Sequence, residues 1–143
     1  MTTAEDFLLD DSGARKLFVV SVLEKERPLK RVIGQLDWRL KGYLSHFVKN
    51  GWVRGASGEV VYVPVFRHQK LSGHMRHLLL VGLGPNLESA HDRGGNLFNR
   101  VTQTAKKLNF ETIVISESSF PFWSKDKMRT DLNQSNLELE WVE

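Results

Sequence analysis

Two sequence patterns in this chain could bind a metal ion or a small ligand, and the first is a pair of histidines. His74 and His77 have the H-x-x-H spacing that can present two imidazoles to a metal ion. A metal site also needs further His or carboxylate ligands, whereas the acids here are scattered, with Glu5 and Asp6 in the polar N-terminal residues 1–13. Because the sequence contains no cysteine, thiolate clusters and disulfides are excluded as well. We therefore predict no metal, no cofactor and no catalytic residue, and we interpret the two histidines as part of a solvated turn that enters a strand.

The second pattern is a glycine turn at the end of an apolar run. Gly82, Gly84 and Pro85 follow the residues LLLV, and backbone amides in such a turn can bind an anion or a nucleotide phosphate. Neither G-x-G-x-x-G nor a Walker sequence is present. The favoured interpretation is a plain strand-ending turn, and binding of a nucleotide-like ligand at Gly82 and Gly84 is the alternative.

Cationic residues are concentrated in the middle of the chain. Between Ala14 and Arg76 there are thirteen Lys and Arg against four Asp and Glu, in a chain whose net charge is +3. Clustered cations gain affinity for nucleic acid by displacing counterions from phosphates. A nucleic-acid-binding surface would use Lys30, Arg31, Arg39, Lys41, Lys49 and Arg54. Helix-turn-helix, zinc-finger and ribonucleoprotein motifs are absent from the sequence. The favoured interpretation is therefore a solvated basic face, and DNA binding is a secondary hypothesis.

One helix is predicted to carry an exposed aromatic residue. From Leu29 to Asn50 the apolar side chains recur at helical spacing, and Trp38 falls away from the apolar arc. An exposed Trp beside a glycine could anchor a partner, although the tail or a neighbouring loop could equally cover it. Asp37 lies near the arc and could cap a helix that starts after a break at Gly34. The predicted interaction surface comprises Trp38, Arg39, Lys41, Gly42, His46 and Lys49.

The surrounding pattern predicts a single α/β domain over all 143 residues. Gly94 and Gly95 precede a second helix that ends near Asn109, Phe120 to Trp123 is predicted to be a loop, and Pro64 belongs at a sheet edge or strand end. The alternating last segment favours a mixed sheet. The predicted strands are Leu17–Leu23, Glu59–Phe66, His77–Leu83, Thr112–Ser116 and Leu137–Val142.

The opening residues bear on location. MTTAEDFLLDD carries acids where a secretory signal needs positive charge, and no apolar run approaches the roughly 20 residues needed to span a bilayer. We predict a cytoplasmic protein that does not contact a membrane.

The order of these motifs resembles the N-terminal domain of the leucyl aminopeptidase family. The resemblance covers roughly Leu17 to Ser118 and depends on KGYLSHFVKNG, the G-x-x-G-E turn at Gly55 to Glu59, and LLLVGLG. It implies a three-layer α/β/α sandwich similar to macro domains, with a central mixed sheet. Macro domains bind ADP-ribose and some members of the family bind DNA, but the Asn-Ala-Ala-Asn signature of macro domains is absent here.

The resemblance does not imply peptidase activity. In that family the metal ions and the catalytic Lys and Arg belong to a C-terminal domain built around N-T-D-A-E-G-R, which has no counterpart in this sequence. We therefore expect a non-catalytic interaction or regulatory module that self-associates or docks on another protein.

Overall fold

The computed structural model describes residues 15–65, 75–87, 94–121, 123–132 and 136–142. Within these ranges, five strands and four helices follow one another, and a short 3-10 turn, Glu117–Ser119, follows the fourth strand. The elements are β1 (Lys16–Val22), α1 (Arg31–Arg39), α2 (Tyr43–Lys49), β2 (Val60–Val65), β3 (Arg76–Gly82), α3 (Gly94–Lys107), β4 (Thr112–Ser116), α4 (Lys125–Leu132) and β5 (Glu138–Val142).

The strands form one mixed sheet in the order β2-β3-β1-β4-β5. β1 is parallel to both β3 and β4, β5 is parallel to β4, and only β2 runs antiparallel to its neighbour. β1 and β3 occupy the centre and are buried on both faces, which is why their sequences are continuous apolar runs rather than alternating ones. The predicted mixed sheet is confirmed, and the last strand pairs within the chain.

Two hydrophobic clusters cover the two faces of the sheet. Phe18 and Val20 of β1 point toward α1 and α2, whereas Leu17 and Val19 point toward α3 and α4. Successive strand residues alternate between the faces, so one apolar strand contributes to both cores. The result is the three-layer α/β/α sandwich that the sequence predicted.

The single predicted helix from Leu29 to Asn50 is wrong, because two helices occupy this span. α1 begins at Arg31, and the chain leaves the helix between Leu40 and Gly42, where Gly42 has φ +83°. A left-handed residue cannot continue a right-handed helix, and glycine adopts this conformation without steric cost. The break predicted at Gly34 is also wrong, since Gly34 lies inside α1.

The C-terminal part contains a helix that the sequence pattern did not predict. α4 buries Met128 and Leu132, but its remaining residues are polar, so its apolar periodicity is weak. Phe120 and Trp123 lie in a loop, as predicted, and both side chains are buried in the core. Pro64 lies in β2 at the edge of the sheet, as predicted, because an edge position does not require the hydrogen bond that proline lacks. Within the described ranges, no helix is both long and apolar enough to cross a membrane.

Candidate interaction surface around Trp38

Trp38 lies in the last turn of α1 and faces solvent. Its side chain is 76% exposed, whereas Ile33 and Leu36 on the opposite side of the same helix are buried against the sheet. The predicted outward orientation of Trp38 is confirmed. Among the described residues it is the most exposed of the large hydrophobic side chains. Burial of this ring against another protein segment would remove a large apolar area from water.

Open grooves lie on both sides of Trp38. One has a volume of about 650 Å³ and extends along Lys30, Arg31 and Gln35. The other, of about 540 Å³, extends toward Lys41 and Gly42. The two grooves share Leu29, Gly34, Trp38 and Arg39. The indole therefore stands as a ridge between two depressions, a shape that can engage an extended segment on both sides.

Gly34 shapes the floor that the grooves share. A Cβ at this position would lie 2.5 Å from the carbonyl oxygen of Leu29, closer than real contacts allow. Only glycine lets the backbone at Leu29 lie this close to α1. Sequence reasoning placed neither Gly34 nor Leu29 in the surface, because the approach of the preceding segment to the helix is not visible in helical periodicity.

The corner after α1 is fixed by a contact between the two helices. The backbone N–H of Ser45, in the first turn of α2, donates to Oδ1 of Asp37 at 2.8 Å, and the Ser45 hydroxyl donates to Oδ2. Asp37 thereby satisfies an amide that would otherwise have no partner at a helix start. The predicted role of Asp37 as the cap of a helix that starts after Gly34 is wrong, because Asp37 lies inside α1, and its carboxylate instead binds the first turn of α2.

The surface is rich in cations. Lys30 and Lys41 are exposed, and the guanidinium of Arg39 lies 5.4 Å from the centre of the Trp38 ring, within cation–π range. Asp37 is the one acid that lines the grooves, and both of its carboxylate oxygens accept hydrogen bonds from Ser45. The grooves therefore present positive charge.

Arg31, predicted as a nucleic-acid contact, is used inside the fold. Its guanidinium donates to the hydroxyl of Ser21 at 2.7 Å and to the carboxylate of Glu26 at 3.1 Å. The Ser21 hydroxyl in turn donates to the carbonyl oxygen of Ser119 at 2.5 Å. This network joins the start of α1 to the ends of β1 and β4, so Arg31 positions the helix that carries Trp38.

His46 and Lys49 are exposed on α2, where the structure adds a neighbour that the sequence did not reveal. Trp52 is 61% exposed, and its ring centre lies 5.4 Å from Phe47 and 6.3 Å from His46. The chain reverses at Gly51, which has φ +76°, and this turn brings Trp52 back onto α2. Trp52 is thus a second exposed tryptophan, in a separate aromatic group.

The backbone amides of Gly82 and Gly84, at the end of β3, already donate hydrogen bonds within the chain. The N–H of Gly82 donates to Glu59 at 2.7 Å and that of Gly84 donates to Gly55 at 2.9 Å. A Cβ at Gly82 would collide with the backbone of Gly55 and Ala56. These amides close the contact between two turns and are not free to bind an anion, contrary to the alternative interpretation of Gly82 and Gly84.

His77 lies in a buried aromatic group rather than on a solvated turn. Its ring stacks on Tyr62, packs edge-on against Phe110, and shares a hydrogen bond of 2.7 Å between Nδ1 and the Tyr62 hydroxyl. Burial lowers the pKa of His77, and the nearby charge of Arg15 lowers it further. His74 lies outside the described residues. Within the described part of the chain, no group of three or more His, Asp or Glu could hold a metal ion.

Comparisons with known proteins agree with this architecture. The macrodomain of Mycobacterium tuberculosis DarG is 13% identical, with a TM-score of 0.64 over 96% of this chain and 92% of that one. The macrodomain of Thermus aquaticus DarG is also 13% identical, with a TM-score of 0.63 over 93% and 91% of the two chains. At this identity the likeness shows a shared fold.

A third similar structure is a mutant of tomato leucine aminopeptidase. It is 19% identical, with a TM-score of 0.58 over 90% of this chain. The chain spans 29% of the length of that enzyme. No curated protein sequence matches the chain. The model of the cytosol aminopeptidase family N-terminal domain matches residues 19–134, and the chain therefore belongs to that family.

Proposed function

We propose that this chain is a non-catalytic interaction or regulatory module that binds a protein partner through the surface around Trp38. The observation that supports the proposal is the 76% exposed indole standing between two open grooves. Tryptophan is enriched among the residues that dominate binding energy, particularly where its ring can enter a desolvated contact. A protein segment would bury the indole and occupy both grooves at once.

The proposed lack of catalysis rests on sequence and family. The match is to the N-terminal domain of the family, and the N-T-D-A-E-G-R motif does not occur in these 143 residues. Ser21, Glu26 and Arg31 form a polar network that joins α1 to the sheet.

DNA binding is a second candidate because four of the six predicted cations are exposed. Lys30, Lys41, Lys49 and Arg54 face solvent, while Arg31 is bound to Ser21 and Glu26. Light scattering of the protein with duplex DNA at low and moderate salt separates the two candidates. A complex that weakens steeply with salt would identify a DNA-binding protein. An unchanged protein mass at low salt would remove this candidate.

The proposed partner contact is tested by comparing two tryptophan variants. The full chain, its Trp38→Ala variant and its Trp52→Ala variant are each immobilised, and bound proteins are quantified from an extract of the source cells. Loss of a protein with Trp38→Ala but not with Trp52→Ala is expected, and the same variants are then tested against that purified protein. Binding that is equal for all three chains would refute the proposal.

The expected size of this effect follows from the role of exposed aromatic anchors. Truncation of such an anchor costs about 2 kcal/mol or more, which corresponds to roughly a thirtyfold weaker complex. Trp52→Ala is the matched control because Trp52 is the same residue type, is also exposed, and lies in a different aromatic group. If self-association is the interaction, the same contrast appears in the molar mass of the three chains at increasing concentration.

A further inference from the structure

We propose that the segment Glu5 to Asp11 of the same chain, EDFLLDD, is an occupant of the two grooves beside Trp38. The inference deepens the proposed function and rests on it, since it takes the same surface to be a binding surface. The occupant is a short acidic segment with bulky apolar side chains at its centre. A partner that uses this surface would then carry the same chemistry and would displace the segment.

Charge complementarity is the first support. Residues 1–14 contain four acids, Glu5, Asp6, Asp10 and Asp11, and no Lys or Arg. The residues that line the grooves include the cations Lys30, Arg39 and Lys41 and the acid Asp37, while Arg31 is paired with Glu26. Opposite charges of this kind steer association and set the orientation of a bound segment.

The arrangement of apolar residues matches as well. Phe7, Leu8 and Leu9 are consecutive, with two acids directly before them and two directly after. Both grooves are lined by the apolar residues Trp38 and Leu29 beside Gly34, and each also contains at least one Lys and Arg39. An extended segment alternates the directions of its side chains, so Phe7 and Leu9 can lie on the surface while the flanking acids meet the cations.

The connection between the segment and β1 is short. The first described residue, Arg15, directly precedes β1 and donates two hydrogen bonds to Leu108 and Asn109 at the end of α3. From Leu9 to Arg15 there are six residues, which span at most about 20 Å. This reach is close to the length of β1, the strand on which α1 packs. The segment is therefore tethered to the fold by a connection about as long as the strand on which α1 packs.

Docking within one chain would make the module self-competing. A tethered segment acts at an effective concentration that is about millimolar for a short flexible connection. A weak contact therefore suffices for the segment to occupy the grooves in the absence of a partner. A partner segment can then bind only if its affinity and concentration are high enough to displace EDFLLDD.

A spin label on the segment tests the proposal, and the absence of cysteine makes the label unique. Ala4→Cys introduces one attachment site next to the segment in the full chain. A nitroxide there is expected to broaden the NMR signals of the Trp38 indole and of the Gly34 and Gly42 amides. The amides of Gln103 and Lys106, exposed on α3 across the sheet, are expected to stay sharp. Equal broadening at both sites, or none near Trp38, would overturn the proposal.

Two further samples fix the cause of the broadening. In the Ala4→Cys chain that also carries Phe7→Ser, Leu8→Ser and Leu9→Ser, the broadening at Trp38 is expected to disappear while the rest of the spectrum is unchanged. Thr2→Ser with Thr3→Ser is the matched control and is expected to retain it. When isotope-labelled chains without a nitroxide are mixed with unlabelled chains that carry one, signals should remain sharp. Broadening in this mixture would show that a second copy supplies the segment and would overturn docking within one chain.

These outcomes are independent of the test of the proposed function. Loss of partner binding with Trp38→Ala, together with no broadening at Trp38, would retain the interaction surface and reject the segment as its occupant. Broadening at Trp38 without any Trp38-dependent partner would retain the segment and reject the proposed partner binding.

Discussion

Asp37 binds Ser45 through both of its carboxylate oxygens, across the corner that joins α1 to α2. Oδ1 accepts the Ser45 backbone N–H at 2.8 Å and Oδ2 accepts the hydroxyl. Gly42, which stands where a capping side chain is usual, has no side chain to offer. Because Trp38 directly follows Asp37, the contact that starts α2 also fixes the end of the helix that presents the indole.

Replacing Asp37 by Ala should destabilise the chain. The Ser45 amide would lose its acceptor at the start of a helix, and the loss of such a cap costs about 0.5–2 kcal/mol. Ser45→Ala is the matched control, since it keeps the bond to the backbone N–H and removes only the hydroxyl, so it should cost less. The free energy of unfolding from urea titration measures both. Equal losses for the two variants would show that the amide contact contributes nothing.

Gly82→Ala should be among the most damaging single-methyl changes in the described residues. The added Cβ would lie 2.7 Å from the carbonyl carbon of Gly55 and would collide with the carbonyl oxygen of Ala56. These are backbone atoms and cannot move alone, so we expect a loss of about 3 kcal/mol or failure to fold. Gly51→Ala is the control, because a Cβ there meets nothing within 4 Å.

Gly51→Ala measures the loss of stability that comes from the left-handed backbone conformation alone, without a steric collision. Gly51 has φ +76°, so an alanine there is penalised by about 1–2 kcal/mol for the left-handed region alone. Denaturant unfolding of the two variants is compared with that of the parent chain. If Gly82→Ala were as stable as Gly51→Ala, the close approach of the two turns would not exist in solution.

The central strands were predictable because burial on both faces leaves a continuous apolar run that needs no tertiary information. The break between α1 and α2 was not predictable in the same way. Leu36, Leu40 and Leu44 follow one another at four-residue spacing straight through it, and all three are buried, so periodicity predicts one helix. Only Gly42 marked the break. α4 was missed because Met128 and Leu132 alone supply its buried apolar residues.

The candidate site was predictable only in part. The outward position of Trp38 follows from its helical phase relative to Ile33 and Leu36, because all three residues lie in α1, before the break. The approach of Leu29 to Gly34, the return of Trp52 onto α2, and the internal use of Arg31 all depend on contacts between separate segments. Such contacts have no local pattern in a single sequence.

His77 should make stability depend on pH below neutrality. Burial, and then the charge of Arg15, lower the pKa of His77 in the folded chain below its usual 6.5. As the pH falls through 6.5 the unfolded chain takes up the proton first, so stability that is fully present above this pH is lost on acidification. His77→Phe, which keeps an aromatic ring beside Phe110, should flatten this part of the profile.

The measurement is the free energy of unfolding between pH 7.5 and 5 for the parent chain and the His77→Phe variant. Their difference should change steadily in favour of the variant as the pH falls. His46→Gln is the control for replacement of a histidine, because His46 is exposed on α2 and lies outside the aromatic group of His77. A constant difference between the parent chain and His77→Phe would contradict the burial of a neutral imidazole.

The loss of stability on replacing a tryptophan by alanine should follow the burial of its ring, and Trp38 and Trp123 are the two extremes. Trp38→Ala should change the free energy of unfolding by no more than about 0.5 kcal/mol, since its exposed ring contributes little to the core. Trp123→Ala should cost about 3–5 kcal/mol, because that ring packs edge-on against Phe98 and Phe120. Urea titration of the two variants is the measurement. A Trp38→Ala variant that keeps full stability while it loses its partner separates binding from folding, whereas a loss close to that of Trp123→Ala would mean that the indole is part of the hydrophobic core and not of a binding surface.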